Sequence, residues 1–183
     1  MLRNTTASWG RISRYLHWIM AALLMGQVLL GRYANALERS PEKLNLMMWH
    51  KSIGISLLLL MSARLVWAWI NPAPNPLPGT AAWVRSASRL SHAGLYGLVI
   101  AIPMSGWLMN SAKNIPFRLF RVVPWPNLLK PDAGLGRVFE FWHNQLVTLL
   151  LVLLCVHVAA ALWHHFYRRD TTLKRMLGWQ ESP

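Results

Sequence analysis

Apolar positions run in four long blocks, at about 15–33, 46–70, 90–110 and 139–167, separated by stretches where charge and proline collect. Each block is long enough to cross about 30 Å of hydrocarbon as a helix, and too long for an ordinary core helix. The pattern predicts an all-α integral membrane protein, a four-helix bundle in a single domain over 1–183. After the second block, Asn71 to Gly79 holds four prolines, so that helix must end by Ile70. Pro103 and several glycines interrupt the third block; neighbouring helices can satisfy the backbone groups they free. A long loop, 111–138, joins the third and fourth blocks.

Composition sharpens this reading. Of 183 residues 54% are apolar, which excludes disorder, yet 19 Lys+Arg face only 6 Asp+Glu for a charge of +13. On a soluble domain that excess would point to nucleic acid; beside four spanning blocks it points to lipid instead, with no nucleic-acid partner. Eleven tryptophans, most of them at block ends (Trp18, Trp49, Trp67, Trp69, Trp107, Trp142, Trp163), look like interfacial belts. The single cysteine, Cys155, permits no intrachain disulfide, and no Cys-x-x-Cys-His run exists for covalent haem attachment.

Arg3, Arg11 and Arg14 before an apolar run and Ala34-Asn35-Ala36 resemble a cleaved secretory signal. A run long enough to span, with His17 and Trp18 inside it, argues for retention. With a cytoplasmic N-terminus the inner side collects ten Lys/Arg and the outer nine, a count that scarcely decides. Three arginines ahead of the first span, and Glu38 and Glu42 offsetting Arg39 and Lys43 after it, favour that orientation. Both termini are then cytoplasmic.

Six of seven histidines lie in or at the ends of apolar blocks, where a ring without a partner is costly. A lone one is commonly a helix-to-helix hydrogen bond. Spacing changes this for His143 and His157: 14 residues bring the second ring to within about 40° of the first and about 21 Å along the helix. One helix face can thus offer one axial ligand to each of two stacked haems. Matching depths assign His50 with His143 to an outer haem, and His17 with His157 to an inner one. His92 competes at the inner level and is more simply a residue lining a quinone or propionate site; His164 could replace His157 but falls near the headgroups, where it pairs with His165. Arg64 repeats the 14-residue interval from His50 and is a candidate for an inner propionate, or for snorkelling. Lys51, beside His50, has the same two readings at the outer face. No grouping suits tetrahedral zinc. Iron held by two imidazoles has no open position, so the chemistry is one-electron transfer.

The ordered set Arg14-Tyr15-Leu16-His17-Trp18, Trp49-His50-Lys51-Ser52-Ile53-Gly54, Leu90-Ser91-His92 with Ala101-Ile102-Pro103, Trp142-His143, Val156-His157 and the tail from His164 to Met176 resembles the bacterial cytochrome b561 family over nearly the whole chain. The resemblance implies an inner-membrane protein with two b-type haems on His17, His50, His143 and His157, passing electrons between a donor and the ubiquinone pool. It also suggests superoxide as the donor. A different class, a cytochrome b anchor that relays electrons for a dehydrogenase or hydrogenase, shares the ligand logic, but the short loops offer little docking surface and no obligate protein partner is evident. Loop 111–138 carries Lys113, Arg118, Arg121, Lys130 and Arg137 against Asp132, a net +4 on the outer face. Lys113, Arg118, Arg121 and Lys51 are expected to form a funnel for a small anionic donor under an ordered lid.

Overall fold

The computed structural model describes residues 1–179, so the last four residues of the tail expected in the cytoplasm lie outside the described residues. Four long helices are present: α1 (Arg11–Ala36), α2 (Pro41–Ile70), α3 (Ala82–Ala112) and α4 (Ala133–Phe166), followed by the six-residue α5 (Thr172–Leu177). Three of them, α2, α3 and α4, are long and apolar enough to cross a membrane. Four were expected; α1 falls short because His17, Gln27 and Arg32 dilute its apolar run.

The helices overrun the apolar blocks because polar residues cap and extend them. Ser40 accepts a hydrogen bond from Lys43 N at 3.2 Å, Pro41 opens α2, and Glu42 sits in its first turn where the helix dipole favours an anion. Asp132 caps α4 by accepting from Leu135 N at 2.9 Å. Helix α2 ends at Ile70, and the N-terminal segment grips the start of the connector at Asn71 and Pro72. Asn4 N donates to Asn71 Oδ1 at 3.1 Å, and Asn4 Nδ2 to the Asn71 and Pro72 carbonyls, each at 3.0 Å. Ser13 Oγ joins by donating to Asn4 Oδ1 at 2.8 Å and accepting from Trp67 Nε1 at 2.9 Å.

Helix α3 lies along α4 and α1 along α2, with α2 packing on α3 to join the two pairs. Backbone approach of α4 to α1 and to α2 is sparse by comparison. A small core of Met20, Met61, Leu98, Val99 and Leu150 holds the middle, with Leu24, Leu95, Leu146 and Leu153 around it. The outward sides, among them Leu149, Val152, Val156 and Leu162 on α4, stay exposed, as suits a surface solvated by lipid tails.

Within the loop between α3 and α4, β1 (Arg118–Leu119) and β2 (Val123–Pro124) pair antiparallel, Arg118 opposite Pro124. The order expected in this loop takes the form of a small hairpin. Its turn places Phe120 and Arg121 at φ of 49° and 65°, left-handed backbone that side chains rarely adopt. Two anchors hold it: Phe120 N donates to Ser52 Oγ at 2.9 Å, and Arg121 Nη2 donates to Asn45 Oδ1.

At the other end, His164 pairs with Asp170 at 2.5 Å, and Asp170 also accepts from Thr172 N at 2.9 Å at the start of α5. Trp18 Nε1 donates to the Met176 carbonyl at 3.2 Å, tying α5 to α1. Burial pushes the Asp170 carboxyl up, but the hydrogen bonds from His164 and Thr172 outweigh it and hold the group below its ordinary value of 3.8. A carboxyl depressed in this way stabilises the fold only while ionised; its contribution is complete above 3.8 and lost as pH falls through the lower folded value. Amide protection over 172–177 is therefore expected to fall on acidification below that value, and in Asp170→Asn at neutral pH. Unchanged hydrogen–deuterium exchange in the variant would remove Asp170 from the docking of α5.

Candidate functional site

Helix α4 sets the site's spacing. His143 and His157 lie on one face with Leu150 midway between them, its side chain almost fully buried at 1% exposure. Helix α2 repeats the interval with His50, the buried Leu57 and Arg64. Across the sparse seam between the helix pairs, the His50 and His143 ring centres stand 6.4 Å apart, and those of His17 and His157 also 6.4 Å. Two metal–nitrogen bonds of about 2 Å plus two ring radii come to roughly 6 Å, so each pair fits one iron between two imidazoles. Met61 and Leu150, both almost fully buried, pack in the core between the two levels.

The His50–His143 level is the more closely built. His143 Nδ1 lies 3.0 Å from the Ile102 carbonyl and 3.0 Å from Ser105 Oγ. A carbonyl only accepts, so the ring proton belongs on Nδ1 and Nε2 keeps a free lone pair for a metal. Two glycines let the rings sit against neighbouring helices. A Cβ on Gly31 would stand 2.6 Å from His50 Cε1, and one on Gly106 would stand 3.2 Å from His143 Cε1. Gln27 Nε2 donates to the His50 carbonyl at 2.5 Å, locking α1 onto α2 beside the ring. His50 Nδ1 is buried with no hydrogen-bond partner among the described residues, a polar atom whose hydrogen-bonding capacity is unspent.

Lys51 turns inward over this level. Its Nζ donates to Asn110 Oδ1 at 2.6 Å and stands 5.9 Å from the centre of the Phe117 ring. Lys113 pairs with Glu140 at 2.8 Å. Glu140 lies outside the loop whose net charge was counted, so Lys113 contributes less to an open positive field than expected. Arg118 and Arg121 remain exposed on the hairpin.

At the His17–His157 level the packing differs. Arg64 Nη2 is 3.3 Å from His17 Nδ1, and the guanidinium stands 5.3 Å from the Tyr96 ring centre. Guanidinium has only donors, so this contact makes Nδ1 the acceptor, the opposite of His143. His92 reaches the same cluster, 5.4 Å from His157 between ring centres. That is closer than two rings sharing one iron. Its side chain is exposed at the edge of the bundle, whereas His17, His50, His143 and His157 are each half-buried.

Lys51, Arg64 and His92 thus fall at the two levels formed by His17, His50, His143 and His157, Lys113, Arg118 and Arg121 lie on the loop beside the first, and His164 lies apart at the end of α4. Gly31, Gly106, Gln27, Ser105 and Asn110 are contributors that sequence reasoning missed. The small or amide side chain inside an apolar helix was the available signal for each.

The family model for prokaryotic cytochrome b561 matches residues 8–179. Cytochrome b561 homolog 2 of Escherichia coli K12 is 37% identical over 187 residues, covering 98% of this chain and 96% of that one. Cytochrome b561 homolog 1 of the same organism is 29% identical over 169 residues, 89% of this chain and 93% of that one. A probable superoxide oxidase CybB of Yersinia pestis is 27% identical over 130 residues, covering 71% and 73% of the two chains.

Proposed function

Starting from the prokaryotic cytochrome b561 family, to which this chain belongs as a membrane electron-transfer protein binding b-type haem, we propose that it holds two haems and passes electrons from superoxide to ubiquinone. The observation that carries the reading is the repeated 6.4 Å separation of two histidine pairs, 14 residues apart along α4. His50 and His143 serve the outer haem, and His17 and His157 the inner. All four long helices span the bacterial inner membrane in this reading, with both termini cytoplasmic.

Bound at these levels, haem supplies reversible one-electron transfer. The chain supplies position and field. Ile102 and Ser105 fix the His143 tautomer, and Gly31 and Gly106 leave room for the rings to approach. Arg64, now on His17 Nδ1 at 3.3 Å, would be the group to pair with a haem propionate at that level. His92, exposed in the structure, would hydrogen-bond a quinone carbonyl arriving from lipid. The net reaction converts two superoxide anions to two dioxygen molecules, and their two electrons with two protons from water convert ubiquinone to ubiquinol.

The test is an anaerobic spectrum of purified protein titrated with superoxide and, separately, with a quinol. Reduction of both haems by superoxide and reoxidation by ubiquinone are expected. Inertness toward superoxide, together with a co-purifying dehydrogenase or hydrogenase, would leave the relay-subunit reading in its place.

Exposed Arg118 and Arg121 draw the anion by a long-range field, which is screened as ionic strength passes about 0.1 M and the screening length falls to roughly 10 Å. Reduction by superoxide is therefore expected to slow with salt. Neutralising both arginines should slow it at low salt and leave reduction by a neutral quinol nearly unchanged. Salt-independent rates, or equal losses with both donors, would dismiss the funnel.

A further inference from the structure

Where α1 begins and α4 ends, the two ends of the chain enclose a cavity of about 230 Å³ lined by Arg3, Arg14 and Arg175, with Ser8 and Trp9 beside them. No carboxylate lines it among the described residues. Arg14 Nε is buried there without a hydrogen-bond partner among the described residues. A buried guanidinium donor left unpaired is costly, and its natural complement is an anionic oxygen. Arg175 spends one donor on the Asn75 carbonyl at 3.0 Å, which fixes the side chain and leaves the rest of its fork for a ligand. The cavity's floor needs a glycine twice over: Gly178 has φ of 84°, and Arg14 occupies the place where a Cβ would be.

Trp18, Trp163 and Tyr167 lie exposed at this same end of the bundle, so the cavity opens at the depth of lipid headgroups. We propose that it is a binding site for the phosphate of an anionic phospholipid, clamped by Arg14 and Arg175 with Arg3 closing over it. The lipid would then pin the N-terminal segment, the connector at Asn75 and α5 together, next to the helix that carries His17. None of these residues belongs to the histidine levels, so the site can fail without failure of the electron-transfer reading.

Native mass spectrometry of the haem-loaded protein, delipidated and then offered phosphatidylglycerol or phosphatidylcholine, tests it. Phosphatidylglycerol is expected to be retained and phosphatidylcholine released. The double variant Arg14→Gln, Arg175→Gln should weaken retention by about tenfold or more, from the loss of charge-assisted hydrogen bonds, with an unchanged haem spectrum as the check on folding. Equal retention of both lipids, or undiminished retention by the variant, overturns the proposal. So does binding of inorganic phosphate without retention of the lipid, which would make this a soluble-anion site. Retention that appears only in Glu181→Gln would also overturn it, since the chain's own tail carboxylate would then be the occupant.

Discussion

Replacing His143 by alanine is expected to lower the haem content from about two per chain to about one, and replacing His50 should delete the same haem. Two imidazoles 6.4 Å apart would hold an iron jointly, so losing either would leave that iron a single protein ligand. His17→Ala and His157→Ala are expected to remove the other haem and spare the first. The measurement is haem per protein with redox titration of what remains, since two levels with different surroundings are expected to titrate apart. His92→Ala should keep both. If His92→Ala removed a haem while His17→Ala did not, the pairing at that level would pass to His92, despite its exposure and its closer 5.4 Å approach to His157.

A single methyl group is expected to do almost as much at Gly31. In Gly31→Ala the new Cβ would stand 2.6 Å from His50 Cε1 and 2.9 Å from Nδ1, where van der Waals contact needs about 3.5 Å. The ring must move by roughly 1 Å, beyond the roughly 0.5 Å that a ligand's position tolerates. At about 1–3 kcal/mol for overpacking, haem affinity at this level should fall by about five- to 150-fold. Gly106→Ala, whose Cβ would stand 3.2 Å from His143 Cε1, should cost less because a shift of a few tenths of an ångström relieves it. Gly26 has nothing within 4 Å of a built Cβ, and Gly26→Ala should leave both haems in place. Retention of the haem at the His17–His157 level would show that Gly31→Ala still folds. Equal occupancy across the three variants would mean that His50 does not hold the metal in this ring position.

Local rules made much of this protein legible in its sequence. A run of about twenty apolar residues has one stable form in hydrocarbon, so the long helices and the break after Ile70 followed from residue types alone. The 14-residue interval between His143 and His157 put both rings on one face because helical geometry is fixed. Membership of the cytochrome b561 family was carried by the same ordered motifs. Contacts between elements were a different matter. That Glu140 neutralises Lys113, that Asp170 holds His164, and that Phe120 and Arg121 adopt left-handed backbone to reach Ser52 and Asn45 all depend on how helices and loop meet. Periodicity gives the direction of each side chain about its own axis, never the rotation and depth of one axis against another. The packing of α1 on α2 made Gly31 the seat of a histidine 19 residues further along, and the meeting of the two chain ends placed Arg14 beside Arg175, 161 residues apart. Those proximities are set by the summed fit of many side chains across interfaces, so only the tertiary structure decided them.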